Sequence, residues 1–329
     1  MQAQAIVFPT VNQIEIQSYD LPELRADEVL ICTEYSGISQ GTEIWALTGQ
    51  RPELKFPTVP GYQSVGVVEQ LGQSATGFQI GQRVLFRSSR LPESFSPTWM
   101  GAHVSHAIVT SQGDRAPIVI PENCDSIAAT LVALPAVSLR GINMLNIKIG
   151  DLVVVTGQGL IGQGSAQLAR LRGATVIVAD INTPRLELSR QCGADFAVNI
   201  KERDLDEVVR CIKPKGADVV IETTGRSDQF DPCISLLREQ GQLLLQGWYP
   251  QPITFDFHQT HGKRPTIAIT CGFDSDEVRQ CLTLMSQNKL RFSELVTHRL
   301  PIHQAPEIYQ EMVNNAPDVL GVVFDWNQI

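Results

Sequence analysis

No C-x-x-C pair occurs anywhere in the 329 residues: seven cysteines, at 32, 124, 192, 211, 233, 271 and 281, are scattered along the chain. An odd, dispersed set reads as the reduced thiols of a cytosolic protein and not as a disulfide framework. The dispersal also argues against a structural zinc lobe, which needs four thiolates on short spacings to close a tetrahedral site. Basic clusters are missing too. With a net charge of -9 and a pI near 5.2, a phosphate backbone or an anionic membrane is a poor partner, and a small-molecule substrate is the better one. The opening MQAQAIVFPT has no basic stretch leading into an apolar run. The longest apolar segment, IAATLVALPAVSL (127–139), is too short to cross a bilayer and contains Pro135. A soluble, cytoplasmic protein with no nucleic acid partner and no membrane insertion is expected.

What the chain does have is enough apolar content, 43% hydrophobic against 19% charged, to build two compact domains. Up to about residue 125, short β-like runs (QAIVF, EVLICTEYS, SVGVVEQLG, QRVLFR, HVSHAIVT) are broken by Gly and Pro, which predicts a small, mainly antiparallel β domain. The rhythm then becomes strand, helix, strand. DLVVVTG, TVIVAD, ADVVIETTG, QLLLQG and TIAIT are continuous apolar runs set among the segments GQGSAQLARLRG, TPRLELSRQCG and SLLREQ. That pattern predicts an α/β fold whose parallel sheet is covered on both faces. The predicted division is 1–127 with a return segment 292–329, and 128–291. In that return segment APEIYQEMVNN sets Ala305, Ile308, Tyr309 and Met312 at helical spacing, a packing stripe.

The strongest motif is VVVTGQGLIGQGSAQLA (153–169), where Gly157, Gly159 and Gly162 fit G-x-G-x-x-G between a β run and a helix. Gly157 permits the tight turn, Gly159 lets the backbone approach a pyrophosphate, and Gly162 lets the helix lie close to its strand. Leu160 and Ile161 open the helix whose N–H groups would face the anion. Asp180 ends TVIVAD eighteen residues after Gly162. A carboxylate there accepts both ribose hydroxyls and repels a 2′-phosphate, which predicts NAD as the cofactor. Arg185, on the following turn, could instead neutralise a 2′-phosphate or lie beside the adenine. ETTG (222–225) and LQGWY (245–249) each follow a parallel strand, so Thr223, Thr224, Gln246 and Gly247 are candidate contacts to the nicotinamide half.

A β domain first, a nucleotide fold second and a return segment last resembles the medium-chain dehydrogenase/reductase superfamily. GISQGTE, VPGYQSVGVV, the Gly loop, VIETTG and THRLPI carry the resemblance along essentially the whole chain. It implies a GroES-like catalytic domain beside a doubly wound Rossmann sheet. In the superfamily's zinc alcohol dehydrogenases a Cys follows the Gly-Ile pair, a Gly-His-Glu triplet follows the Val-Pro, and a third ligand lies shortly before the nucleotide domain. Here Ser39 stands at the Cys position, Tyr62 and Gln63 replace the His and Glu, and the third region reads LVALPAV. No metal is therefore expected, since a catalytic zinc needs three protein ligands and a serine hydroxyl is a poor substitute for a thiolate. Thr42 and Glu43 match the family's hydroxyl and acid across one inserted residue. Within the superfamily, SGIS-x-GTE with VPGY-x-SVG is most similar to the bacteriochlorophyllide a dehydrogenases, which oxidise a hydroxyethyl side chain of a chlorin ring with NAD.

Without a metal, hydrogen-bond donors must polarise the substrate oxygen. The candidates are Ser39, Thr42, Tyr62 and His103, the last standing where the family often places an aromatic pocket residue. The function these residues predict is zinc-independent, NAD-dependent hydride transfer between nicotinamide and a secondary alcohol or its ketone, with a hydroxyethyl-chlorin, a sugar or a polyol as substrate. The alternatives are a quinone or enoyl reductase using NAD(P)H, and a non-catalytic nucleotide-binding protein. The apolar run PTIAITCGF (265–273) reads as an uncovered sheet edge, which predicts a homodimer or a dimer of dimers.

Overall fold

The computed structural model describes residues 1–96 and 100–328. It divides into two compact units, Met1–Ala133 with Leu282–Gln287 and Val296–Ile329, and Leu134–Cys281 with Asn288–Leu295. Among the described residues no helix is long and apolar enough to cross a membrane.

In the first unit the short apolar runs form β1 (Gln2–Val7), β2 (Glu15–Asp20), β3 (Glu28–Gly37), β4 (Ser64–Leu71), β5 (Arg83–Phe86), β6 (His106–Thr110) and β7 (Ile118–Val119). β3 is the organising strand, pairing antiparallel with both β4 and β6. The sheet continues from β4 to β5 and β7. Register shifts at Leu30/Ile31 and Thr33/Tyr35 bulge the β3–β4 ladder, and such bulges bend a strand and re-aim the residues that follow. Val7, Ile31, Val68, Val84, Phe86 and Val109 meet in one core. Burying each such side chain contributes about 1.5–3 kcal/mol.

The second unit is a sheet of β8 (Leu152–Thr156), β9 (Thr175–Asp180), β10 (Phe196–Asn199), β11 (Ala217–Glu222), β12 (Leu237–Leu245) and β13 (Thr266–Ile269). All neighbours are parallel, in the order β10-β9-β8-β11-β12-β13. The order reverses between β8 and β11, which is the crevice where doubly wound sheets bind ligands. Both strands are buried at every position, and burial on both faces is why apolar residues dominate them, with Thr156, Asp218 and Glu222 the polar exceptions. SLLREQ, read as one segment, is divided: the helix Phe230–Leu236 ends inside it and β12 begins at Leu237. The short edge strand β10 lay outside the expected set.

The chain then returns to the first unit through β14 (Val296–Pro301) and β15 (Gly321–Asp325). β15 pairs antiparallel with β3, and β14 lies parallel to β15. Between them the helix Ala305–Val313 buries Ala305, Ile308, Tyr309 and Met312, the stripe read from the sequence.

Candidate functional site

In the second unit, the turn after β8 has the shape its glycines imply. Gly157 sits at φ +84°, in the left-handed region that glycine enters without steric cost. At Gly162 an added Cβ would overlap the Gly157 carbonyl oxygen, whereas at Gly159 it would meet nothing within 4 Å. One glycine is thus required by helix–strand contact, while the other leaves open space at the N-terminus of the helix Leu160–Leu171. Leu160 is buried, and the Ile161 carbonyl accepts the Ser138 hydroxyl at 2.8 Å. Both residues anchor the helix end, and their N–H groups belong to the turn that an anion would face.

Asp180, at the end of β9, accepts the backbone N–H of Gln158 at 2.5 Å, of Ile181 at 2.7 Å and of Asn182 at 2.9 Å. The carboxylate is thereby locked to the glycine turn, and with about four lone-pair sites it keeps acceptor capacity for a ribose. Asn182 caps the next helix by accepting the Arg185 N–H at 3.1 Å, and the Arg185 carbonyl accepts from Gln163 at 3.0 Å.

The two later turns are built by their own side chains. The Thr223 hydroxyl donates to the Thr156 and Gly157 carbonyls, both at 2.9 Å. Thr224 donates both its N–H and its hydroxyl to the buried Glu222 carboxylate, which also accepts from Gly225 N and from Tyr249. The Gln246 amide donates to the Val137 carbonyl at 3.0 Å and accepts from Ser165 at 2.5 Å, and Gly247 lies against Gly225. Thr223, Thr224 and Gln246 therefore hold the crevice wall with their side chains, and their N–H groups are engaged as well, with the Thr156 carbonyl, the Glu222 carboxylate and the Glu222 carbonyl respectively. Glu222 and Tyr249, absent from the sequence-derived candidates, tie the two turns together. Burial, with the Glu222 charge adding to it, raises the Tyr249 phenol well above its ordinary value and keeps it a donor.

In the first unit, Gly37 and Ile38 carry β3 into the helix Gln40–Leu47, whose N-cap is Ser39. The Ser39 hydroxyl makes no cap bond. Instead Glu43, one turn on, reaches back to accept the Ser39 N–H at 2.8 Å, much as the acid of a capping box does. Relieved of capping, the Ser39 hydroxyl accepts from the Tyr62 phenol at 2.6 Å. The Thr42 hydroxyl flanks the same phenol. Ser39, Thr42 and Tyr62, distant in sequence, thus converge. Burial raises the Tyr62 ionisation above its ordinary value, with the Ser39 and Thr42 hydroxyls offsetting part of that rise, so the group acts as a proton-bearing donor and not as a base.

His103 is placed differently from the expectation of a polarising pocket residue. It is fully buried, with Nδ1 2.7 Å from the Ser36 hydroxyl and Nε2 3.0 Å from Glu43. Both nitrogens are engaged within the protein, by partners that are themselves buried. Gly61, at φ +85°, lies against the ring: a Cβ there would sit 2.7 Å from its Cγ and Cδ2. Tyr309 also donates to Glu43, and Trp326 donates to Ser36 at 2.8 Å. Ser36 and Trp326 carry no signal in the sequence and Tyr309 is read there only as part of an apolar stripe, since only the folded chain brings the three to the loop.

A catalytic zinc does not fit this donor set. Ser39 and Tyr62 are bonded to each other, His103 and Glu43 are bonded to each other, and Gln63 offers only a carboxamide. Among the described residues no group of three His, Cys, Asp or Glu side chains is arranged to hold a metal.

Residues 25–112 match the alcohol dehydrogenase GroES-like domain, and residues 161–287 match the zinc-binding dehydrogenase family. The chain belongs to the medium-chain dehydrogenase/reductase superfamily. It is 27% identical to an alcohol dehydrogenase of Cupriavidus necator over 97% of both chains. It is 29% identical to a sorbitol dehydrogenase of Halalkalibacterium halodurans over 89% of this chain and 91% of that one. With the 2-desacetyl-2-hydroxyethyl bacteriochlorophyllide A dehydrogenase of Cereibacter sphaeroides it shares 26% identity over 99% of both. Among solved structures, an Escherichia coli oxidoreductase of unknown specificity superposes with a TM-score of 0.89 at 22% identity over 99% of both chains. A Sinorhizobium meliloti dehydrogenase bound to NADP gives 0.87 at 21% identity, again over 99% of both. These structural likenesses establish the fold, an α/β chain with a GroES-like domain and a Rossmann-type parallel sheet.

Proposed function

We propose that the protein is a zinc-independent NAD(H) oxidoreductase acting on a secondary alcohol or its ketone. The observation that carries this reading is the 2.6 Å bond from Tyr62 to Ser39, formed by residues that stand where zinc relatives carry ligands. Tyr62 directs its only proton at Ser39, so the Ser39 hydroxyl keeps its own proton for a substrate oxygen. Donation to that oxygen strengthens as negative charge grows on it, and preorganised donors of this kind stabilise the transition state. Tyr62 polarises the Ser39 hydroxyl from behind, Thr42 hydrogen-bonds the Tyr62 phenol in turn, and His103 supports the loop.

A bound nicotinamide nucleotide supplies the hydride acceptor or donor. Gly157, Gly159, Leu160, Ile161 and Gly162 would hold its pyrophosphate. Asp180 would hold the ribose, with Arg185 nearby, and the turns bearing Thr223, Thr224, Gln246 and Gly247 would border the nicotinamide half. Asp180 favours NAD because its charge opposes a 2′-phosphate. The relatives named for alcohol and sorbitol oxidation support a secondary alcohol or polyol, and a hydroxyethyl-chlorin belongs to the same class.

The test is a scan of secondary alcohols, polyols and hydroxyethyl-chlorins with NAD and NADP, using chelator-treated protein whose zinc content is measured. NAD reduction undiminished by chelation is the expected result. Activity that appears only when zinc is added back, or that requires NADP, overturns the reading.

A further inference from the structure

We propose that Glu43 is the positioning residue of the Ser39 hydroxyl, held in register by a one-directional hydrogen-bond chain that runs from Trp326 through Ser36 and His103. The proposal rests on the reading of Ser39 as the group that meets the substrate oxygen.

The direction of the chain follows from its outermost member. An indole N–H is a donor only, so Ser36 must accept from Trp326 at 2.8 Å. The Ser36 hydroxyl then has its proton for His103 Nδ1 at 2.7 Å, which places the ring proton on Nε2, facing Glu43 at 3.0 Å. In a neutral imidazole the partner of one nitrogen fixes the role of the other. Tyr309 donates to the same Glu43 oxygen, leaving the other oxygen to accept Ser39 N–H at 2.8 Å. Ser36, Glu43, His103, Tyr309 and Trp326 are all buried, so none of these bonds competes with bulk water.

The network reaches both partners of the proposed catalytic pair. Glu43 holds the backbone of Ser39, and the His103 ring lies against Gly61, the residue before Tyr62. The Phe324 ring meets His103 edge-on at 5.6 Å, closing the side not occupied by hydrogen bonds. Glu43 touches no substrate in this scheme. It acts through Ser39, and a small misplacement of a reacting group remote from the altered residue costs roughly a hundredfold in rate.

The test uses Glu43→Gln in the full-length protein. One Glu43 oxygen takes protons from both His103 and Tyr309, so in the variant the carbonyl oxygen stays there and the amide nitrogen faces the Ser39 N–H, which loses its acceptor. Nitrogen-detected NMR is expected to show His103 protonated on Nε2 in the native protein and equally in the variant. The variant's kcat should fall by roughly a hundredfold, while KM changes by less than about threefold and NAD binding is unchanged. Native His103 protonated on Nδ1, or a folded variant with native kcat, overturns the proposal. Should Glu43→Gln not fold, Trp326→Phe takes its place. Loss of the indole donor is expected to mix the His103 tautomers and lower kcat at constant KM, and an unaltered tautomer and rate contradict the proposal. If the native protein oxidises no alcohol, the proposed function fails while the tautomer measurements still decide the network.

Discussion

Tyr62 and Ser39, twenty-three positions apart, share a hydrogen bond of 2.6 Å inside the first unit. The phenol is buried and its ionisation raised, so it stays protonated where an exposed tyrosine would titrate. Tyr309 behaves alike, raised by burial and by the Glu43 charge beside it. Because the unfolded chain releases these phenolic protons near pH 10 while the folded chain retains them, the unfolded state binds fewer protons above that pH. Stability is therefore fully present below about pH 10 and falls as pH rises beyond it. Urea unfolding across the alkaline range is expected to show this decline, and Tyr309→Phe should flatten it. An unchanged slope in that variant would remove Tyr309 from the explanation.

Asp180 is expected to set cofactor choice. Asp180→Ser removes the charge that opposes a 2′-phosphate and the acceptors for a ribose, so NAD binding should weaken and NADP binding improve. The carboxylate also holds three backbone N–H groups, so some loss of both nucleotides is expected as the turn loosens. Equilibrium binding of both oxidised cofactors measures this, and an unchanged preference would shift the discrimination to Arg185.

Two glycines of one motif should fail in different ways. Gly162→Ala puts a methyl group into the Gly157 carbonyl, an overpacking that costs about 1–3 kcal/mol, so a lower melting temperature is expected. Gly159→Ala meets open space and should leave stability unchanged while weakening NAD binding, because the added methyl group occupies the approach to the pyrophosphate. Calorimetry and nucleotide titration separate the two, and equal destabilisation by both would contradict the assignment.

The edge strand β13 presents Ile267 at 40% and Ile269 at 70% exposure. An apolar, unpaired edge of this kind favours pairing with a second copy. A dimeric mass at micromolar concentration is expected for the native protein, and a monomeric mass for Ile269→Lys. A native monomer would reject the pairing.

The sequence made the parallel sheet and the glycine turn legible because both are local. β8, β9 and β11 carry the continuous apolar runs Leu152–Val155, Val176–Ala179 and Val219–Ile221, all buried, and Gly157, Gly159 and Gly162 answer to backbone geometry within one turn. β10 escaped notice because it is a four-residue edge strand with Phe196 exposed, so burial leaves no pattern on it. SLLREQ was read as one segment because no Gly or Pro marks the junction at Leu236. The support of the Ser39 loop could not be read at all. Tyr309 meets Glu43 across 266 positions, and Trp326 meets Ser36 across 290. Tyr309 was legible only as part of an apolar stripe, and its hydroxyl carries the polar contact that periodicity does not record.

The most direct measurement is the single-turnover rate of NAD reduction by Ser39→Ala, compared with native protein from which metal has been removed and shown to be absent. If the Ser39 hydroxyl polarises the substrate oxygen, the native protein should retain its full rate without metal. The variant should then be slower by on the order of a hundredfold or more, with substrate binding little changed. A native protein that needs zinc, or a Ser39→Ala variant that turns over at the native rate, would contradict the proposal that these hydroxyls do the work of a metal.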